Sequence, residues 1–95
     1  MPPIAPADVP AVLAKRASGQ PLEVEIGCGN GHFLEEYCVL HPSTLYIGIE
    51  IKASRCEKAC RKIERRGLEN AYVVEGHAED VLPLMPAGSV DLVHL

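Results

Sequence analysis

The strongest constraint on this chain is the stretch Leu22-Glu23-Val24-Glu25-Ile26-Gly27-Cys28-Gly29-Asn30-Gly31-His32-Phe33-Leu34. A partly β-branched apolar run, broken by acidic residues, passes through three glycines at alternate positions. Apolar residues then resume at helical spacing, so the pattern predicts a strand, a tight turn and the start of a helix. Glycine is required where the backbone takes positive φ or where a ligand must approach the main chain. A helix opening straight after such a turn offers free N–H groups and the positive end of its dipole. The stretch therefore predicts a small ligand with a carboxylate or other polar groups, held over the turn.

The glycine spacing separates ligand classes. A dinucleotide fingerprint is G-x-G-x-x-G, whose third glycine lets the helix pack tightly on the strand. Here the glycines are Gly27, Gly29 and Gly31, and the position that fingerprint would need is His32. The pattern reads E-x-G-x-G-x-G, with Glu25 near the carboxyl end of the strand. An anion in that corner does not suit a pyrophosphate, but it suits the cationic amino group or sulfonium side of S-adenosylmethionine. A second buried strand, Leu45-Tyr46-Ile47-Gly48-Ile49-Glu50, ends in an acid roughly twenty residues beyond the turn. Such an acid can accept both hydrogen bonds of a ribose diol. Dehydrogenases share it, so Glu50 alone indicates a ribose. Together with Glu25 and the shifted glycines it favours the methyl donor over a plain structural turn.

Ninety-five residues make at most one small domain. An apolar content of 47% with 23% charged residues is globular in character. The apolar runs are far shorter than a membrane span, and Met1-Pro-Pro-Ile-Ala-Pro6 has neither the basic start nor the apolar centre of a signal peptide. The expectation is a cytoplasmic protein. Cys28, Cys38, Cys56 and Cys60 form no C-x-x-C pair and have no histidine at zinc-ligand spacing, so they are expected as reduced core residues, with no metal. The net charge of −4 does not mark a nucleic-acid binder. Its distribution is more informative, because seven of the nine Lys and Arg lie between Lys52 and Arg66. On a helix Arg55, Lys58, Arg61, Lys62, Arg65 and Arg66 share one face, and Cys56, Ala59, Cys60 and Ile63 share the other. A solvated outer face is the first reading of that stripe, and contact with phosphates the second.

Residues 1–9 are proline-rich and expected to be loose, with a short helix from about Pro10 to Ser18 completing an N-terminal segment that ends near residue 20. Residues 21–95 then alternate strand and helix. Strands are expected at 22–26, 44–49, 71–75 and 90–95. Helices are expected at about 31–40, with Phe33, Leu34, Tyr37 and Cys38 buried, and at 53–66, capped by Gly67. A helical turn is expected around 79–84. This alternation predicts a doubly wound, parallel α/β sheet of Rossmann-like type, extending to its fourth strand. An apolar strand at or near an open edge, and the absence of the loop beyond it, suggest a fragment or a truncated product.

The stretch Glu25-Ile-Gly-Cys-Gly-Asn-Gly31 resembles motif I of class I S-adenosylmethionine-dependent methyltransferases. More narrowly, the chain resembles the bacterial tRNA (guanine-N7-)-methyltransferases. Val24 to Leu34, His41-Pro42, Tyr46-Ile-Gly-Ile-Glu-Ile-Lys52, Ala59 to Ile63, Gly67-Leu-Glu-Asn70 and Ser89 to Val93 carry that likeness across most of residues 22–95. The resemblance implies that Glu25 and Glu50 are cofactor-binding acids and that Gly27, Gly29 and Gly31 form the cofactor turn. The family's aspartate after strand three is replaced by His77, whose neutral imidazole could accept from the adenine amino group; Glu79 is the alternative. His32, His41 and His94 are read as structural. The family's catalytic aspartate lies in an Asp-Pro-rich loop after strand four, so no catalytic residue is expected before Leu95. The implied substrate is tRNA, with the oligomeric state left open. Another class I methyltransferase, an aminopropyltransferase, or a non-catalytic remnant are the competing readings, because folds of this kind host many reactions.

Overall fold

The computed structural model describes residues 1–95. Four strands, β1 (Leu22–Ile26), β2 (Leu45–Glu50), β3 (Ala71–Glu75) and β4 (Leu92–His94), form one sheet in the order β3-β2-β1-β4. Every pairing in it is parallel. Helices α2 (His32–Leu40) and α3 (Ala53–Arg66) cover one face, while α1 (Val9–Ala14) and the short α4 (Ala78–Val81) cover the other. This is the doubly wound parallel sheet expected from the alternation of elements.

The alternating side chains of the strands divide between two cores. Leu22 and Val24 of β1 with Leu45, Ile47 and Ile49 of β2 pack under α1 and α4, beside Val9, Val12 and Val81. Tyr46 of β2 and Ala71 and Val73 of β3 pack under α2 and α3, beside Leu34, Cys38, Cys56, Ala59, Cys60 and Ile63. The basic helix has the expected bounds and the expected buried face, and Gly67 closes it at φ +63°. All four cysteines are free and buried.

Several elements differ from the sequence expectation. Ile4, in the segment expected to be loose, pairs with the outer edge of β3. Its N–H donates to the Val73 carbonyl at 2.9 Å and its carbonyl accepts from Glu75 N–H at 3.0 Å. Pro2, Pro3 and Pro6 lack the N–H a ladder needs, so the pairing is confined to that one residue. Helix α1 ends at Ala14, before the expected Ser18, and a turn follows in which Gln20 accepts from Ala17 N–H through its side chain. On α2 only Leu34 and Cys38 are buried; Phe33 is exposed and Tyr37 half-buried. Strand β4 is three residues long rather than six; just before it, Asp91 N–H donates to the Leu22 carbonyl at 2.8 Å and the Asp91 carboxylate accepts from Leu22 N–H at 2.8 Å. Leu92 and Val93 are correspondingly exposed at the sheet edge.

Candidate functional site

The glycine turn between β1 and α2 is folded back onto β2. Gly27 N–H and Cys28 N–H both donate to the Ile49 carbonyl, at 2.8 and 3.1 Å. The three turn glycines all have positive φ, at +74° for Gly27, +57° for Gly29 and +83° for Gly31. They face different surroundings. A Cβ at Gly31 would stand 2.8 Å from Ala59 Cβ and 2.9 Å from Ala59 Cα, so this glycine lets the turn lie flush against α3. A Cβ at Gly27 or Gly29 would meet no atom within 4 Å. Those two positions border open space, which is the room a ligand lying over the turn requires.

Glu50 joins the turn to the end of β2. Its Oε1 accepts from Gly29 N–H at 3.0 Å and its Oε2 from Lys52 N–H at 2.9 Å. Burial works to raise its pKa, but backbone N–H groups of Lys52, Gly29 and Ile51, with Arg55 nearby, outweigh that and hold it below the usual value. A carboxylate has about four acceptor sites, so two protein donors leave capacity for a ribose diol. Behind it, the Cys56 thiol lies 3.3 Å from the Glu50 carbonyl, and Gly76 N–H donates to that same carbonyl at 2.9 Å. Gly76 brings the end of β3 alongside Glu50. His77 follows it on the same carboxyl edge, exposed, at the start of α4.

Glu25 is held differently. It shares the α2–α3 face of the sheet with Tyr46, whose phenol donates to Glu25 Oε1 at 2.7 Å. Burial raises the Glu25 pKa, opposed by the Tyr46 hydrogen bond and by His94. Burial and the Glu25 carboxylate also push the Cys28 thiol up to about 12, which keeps it protonated. Beside this pair lies a second one, because the β1–β4 register sets His94 opposite Glu25. His94 Nε2 is 2.9 Å from Glu23 Oε1, and Tyr37 donates to that same oxygen at 2.6 Å. His94 stacks on Tyr46, with ring centroids 5.6 Å apart. In sequence, no carboxylate stands at a telling spacing from His94, which is read there as structural. Its partner lies 71 residues away in the chain, a contact that strand pairing makes and local spacing cannot reveal.

The basic stripe of α3 is divided in its roles. Lys62 donates to the Asn30 carbonyl of the glycine turn at 2.8 Å. Arg66 and Arg65 reach Glu35 of α2 at 3.0 and 3.7 Å. Arg55, Lys58 and Arg61 are exposed to solvent. No three His, Cys, Asp or Glu side chains gather as a metal site. A cavity of about 710 Å³ opens at the opposite, amino-terminal edge of the sheet beside Lys15, Gln20, Pro42 and Asn70. No helix is long and apolar enough to cross a membrane.

Sequence comparison bears on this geometry. Residues 19–95 match the model of a family described as "Putative methyltransferase". The chain belongs to that methyltransferase family. Its relatives include the tRNA (guanine-N(7)-)-methyltransferase of Geobacter metallireducens, 37% identical over 91 residues, which are 95% of this chain and 42% of the relative. The enzyme of the same description from Geobacillus kaustophilus is 38% identical over 76 residues, 80% of this chain and 35% of the relative. The resemblance read from the motifs thus holds across the chain, which spans well under half the length of these methyltransferases. Among solved structures, WbdD superposes with a TM-score of 0.68 at 22% identity, covering 84% of this chain and 18% of that one. The N-terminal domain of human METTL16, solved in complex with SAH, superposes with a TM-score of 0.63 at 14% identity, covering 93% of this chain and 36% of that one. At such identities the likeness establishes the fold of the methyltransferase and nothing finer.

Proposed function

We propose that this chain is the donor-binding part of an S-adenosylmethionine-dependent methyltransferase that acts on N7 of guanine in tRNA. The observation that carries the donor reading is the bond from Gly29 N–H to Glu50 Oε1, which makes the glycine turn and the β2 acid one continuous site. The description shared by the relatives supports the acceptor reading.

Each residue then has a distinct task. Glu50 accepts from the ribose diol, and Gly27 and Gly29 let the ligand approach the main chain. Gly31 seats the turn against α3. Glu25 faces the cationic amino end of the donor, and His77 stands where the adenine amino group would be met. The donor, when bound, supplies a methyl group on a positively charged sulfur. Guanine N7 carries an in-plane lone pair, so attack needs no general base, and the chain's residues work by holding and orienting. No residue of 1–95 is assigned as catalytic; that role is placed in the segment that follows strand four in the family.

Titration calorimetry with S-adenosylhomocysteine tests the donor reading. Replacing Glu50 by Ala should weaken binding on the order of 10- to 100-fold, the effect of losing hydrogen bonds to a charged group. Unchanged affinity would remove the ribose assignment. A methylation assay on bulk tRNA separates the two halves of the proposal: residues 1–95 alone should bind the donor without turnover. Turnover by this segment would show that catalysis had been placed in the wrong part of the protein.

A further inference from the structure

Glu25 uses one carboxylate oxygen and keeps the other. Oε1 takes the Tyr46 phenol at 2.7 Å, while Oε2 has no hydrogen-bond donor and is not sealed from solvent. Tyr46 itself is fully buried, with no exposed surface, and its hydroxyl makes this one hydrogen bond. Two of its ring neighbours, Tyr37 and His94, are engaged with Glu23 and are not free to take its place beside Glu25. A buried hydroxyl with a single partner fixes that partner's rotamer, because turning away would leave a polar group unsatisfied.

From this geometry we infer that Tyr46 is a positioning residue of the donor site, fixing Glu25 through Oε1 so that Oε2 is presented to the cationic amino end of the ligand. The inference rests on the donor reading above and adds the source of selectivity at that end of the site. It also accounts for a tyrosine, second in β2, in the otherwise apolar run Leu45-Tyr46-Ile47-Gly48-Ile49. Neighbouring Gly48 contributes space, since a Cβ there would stand 2.8 Å from the Cys28 sulfur and 3.1 Å from Leu34 Cδ1. The charged and titratable groups around Glu25 are Tyr46 on β2, His94 on β4, Glu23 on β1, Cys28 in the turn and Cys38 on α2. Of these, Tyr46 alone donates a hydrogen bond to it.

The test compares two ligands on the 95-residue chain. S-adenosylhomocysteine carries the aminocarboxyl end, and 5′-methylthioadenosine shares the adenosine thioether and lacks that end. Tyr46→Phe keeps the ring and removes only the hydroxyl. It should weaken S-adenosylhomocysteine about tenfold, the effect of one lost hydrogen bond at a charged group, and leave 5′-methylthioadenosine unchanged. In a carbon-13 titration of the ligand-free protein, the Glu25 carboxyl of the variant should take up its proton at higher pH than in the parent. Equal losses for both ligands, or no loss for either, would overturn the positioning role. Should Tyr46→Phe not fold, Glu25→Gln keeps an acceptor for the phenol and carries the same contrast; retained S-adenosylhomocysteine affinity in that variant overturns the inference. Failure of the parent chain to bind either ligand is a different result, because it overturns the donor reading itself.

Discussion

The two acids at the strand ends are buried alike, Glu25 at 9% and Glu50 at 7% exposure, yet they are held by different kinds of group. Glu50 is gripped by main-chain N–H groups of Gly29 and Lys52. Glu25 is gripped by a side chain, the Tyr46 phenol. Backbone donors come with the chain path, and they favour the charged form strongly enough to overcome burial. A single phenol does not, so burial prevails at Glu25 and raises its pKa. The same residue type near the carboxyl ends of adjacent strands is therefore a fixed anion on β2 and a tunable one on β1. Under the donor reading proposed above, the acid that meets the ribose hydroxyls needs only a permanent lone-pair array. A site for a cation gains from an acid whose charge is stabilised when the cation arrives.

The comparison predicts opposite signs for the same substitution. Glu50→Gln places an amide NH2 against one of two backbone donors, and should destabilise the fold at pH 7 by about 1–2 kcal/mol. Glu25→Gln still offers an oxygen to Tyr46 and removes a buried charge. It should be neutral or stabilising by up to about 1 kcal/mol at pH 7. The pH dependence sharpens the contrast. Because the folded pKa of Glu50 lies below its unfolded value, its contribution is present above that unfolded value and is lost as pH falls through the folded one. The folded pKa of Glu25 is raised, so its contribution is fully present below the unfolded value and is lost as pH rises through the folded one. Urea denaturation at pH 7 and pH 4 measures both. Matching signs for the two variants at pH 7 would mean that both acids are held as ordinary buried carboxylates and that the distinction drawn from their donors is void.

How much of this was legible follows from the range of each signal. The bounds of β3 and α3, the Gly67 cap, and the glycine turn depend on short-range patterns, and the structure has them where the sequence puts them. Glu25 and Glu50 were visible as acids interrupting apolar strands. Their partners were not visible, because Tyr46 reaches Glu25 and His94 reaches Glu23 across the sheet, over 21 and 71 residues. The alternation Glu23-Val24-Glu25 was the available signal, since two acids on one face of a buried strand require donors. Phe33 and Tyr37 were misplaced for a related reason. Helical spacing gives a stripe's width, but only Leu34 and Cys38 of α2 are fully covered, while Tyr37 is half-buried against Glu23, Tyr46 and His94 and Phe33 is exposed beside His94. The three glycines read alike in sequence, and only the tertiary packing shows Gly31 against Ala59 and the other two against open space.

A further hold on the turn is weaker and gives the smallest expected effect. The turn is fastened on its donor side by Gly29 N–H to Glu50, and on its acceptor side by Lys62 Nζ to the Asn30 carbonyl. That carbonyl belongs to a turn already packed through Gly31 against Ala59, so the lysine adds orientation to a contact made by shape. Lys62→Met keeps most of the stem and removes the donor. It should cost about 0.5–1 kcal/mol in stability and weaken S-adenosylhomocysteine about twofold. Arg61→Met, one residue earlier and facing solvent, is the matched control and should change neither quantity. A twofold difference is within reach of calorimetry when the two variants are measured side by side. If they behave alike, the Asn30 carbonyl is indifferent to its donor, and close packing, Glu50 and the Gly27 and Cys28 bonds to the Ile49 carbonyl hold the turn. If they separate, the stripe of α3 is divided: its inner edge braces the glycine turn, and Arg55, Lys58 and Arg61 remain the cations that stand free in solvent.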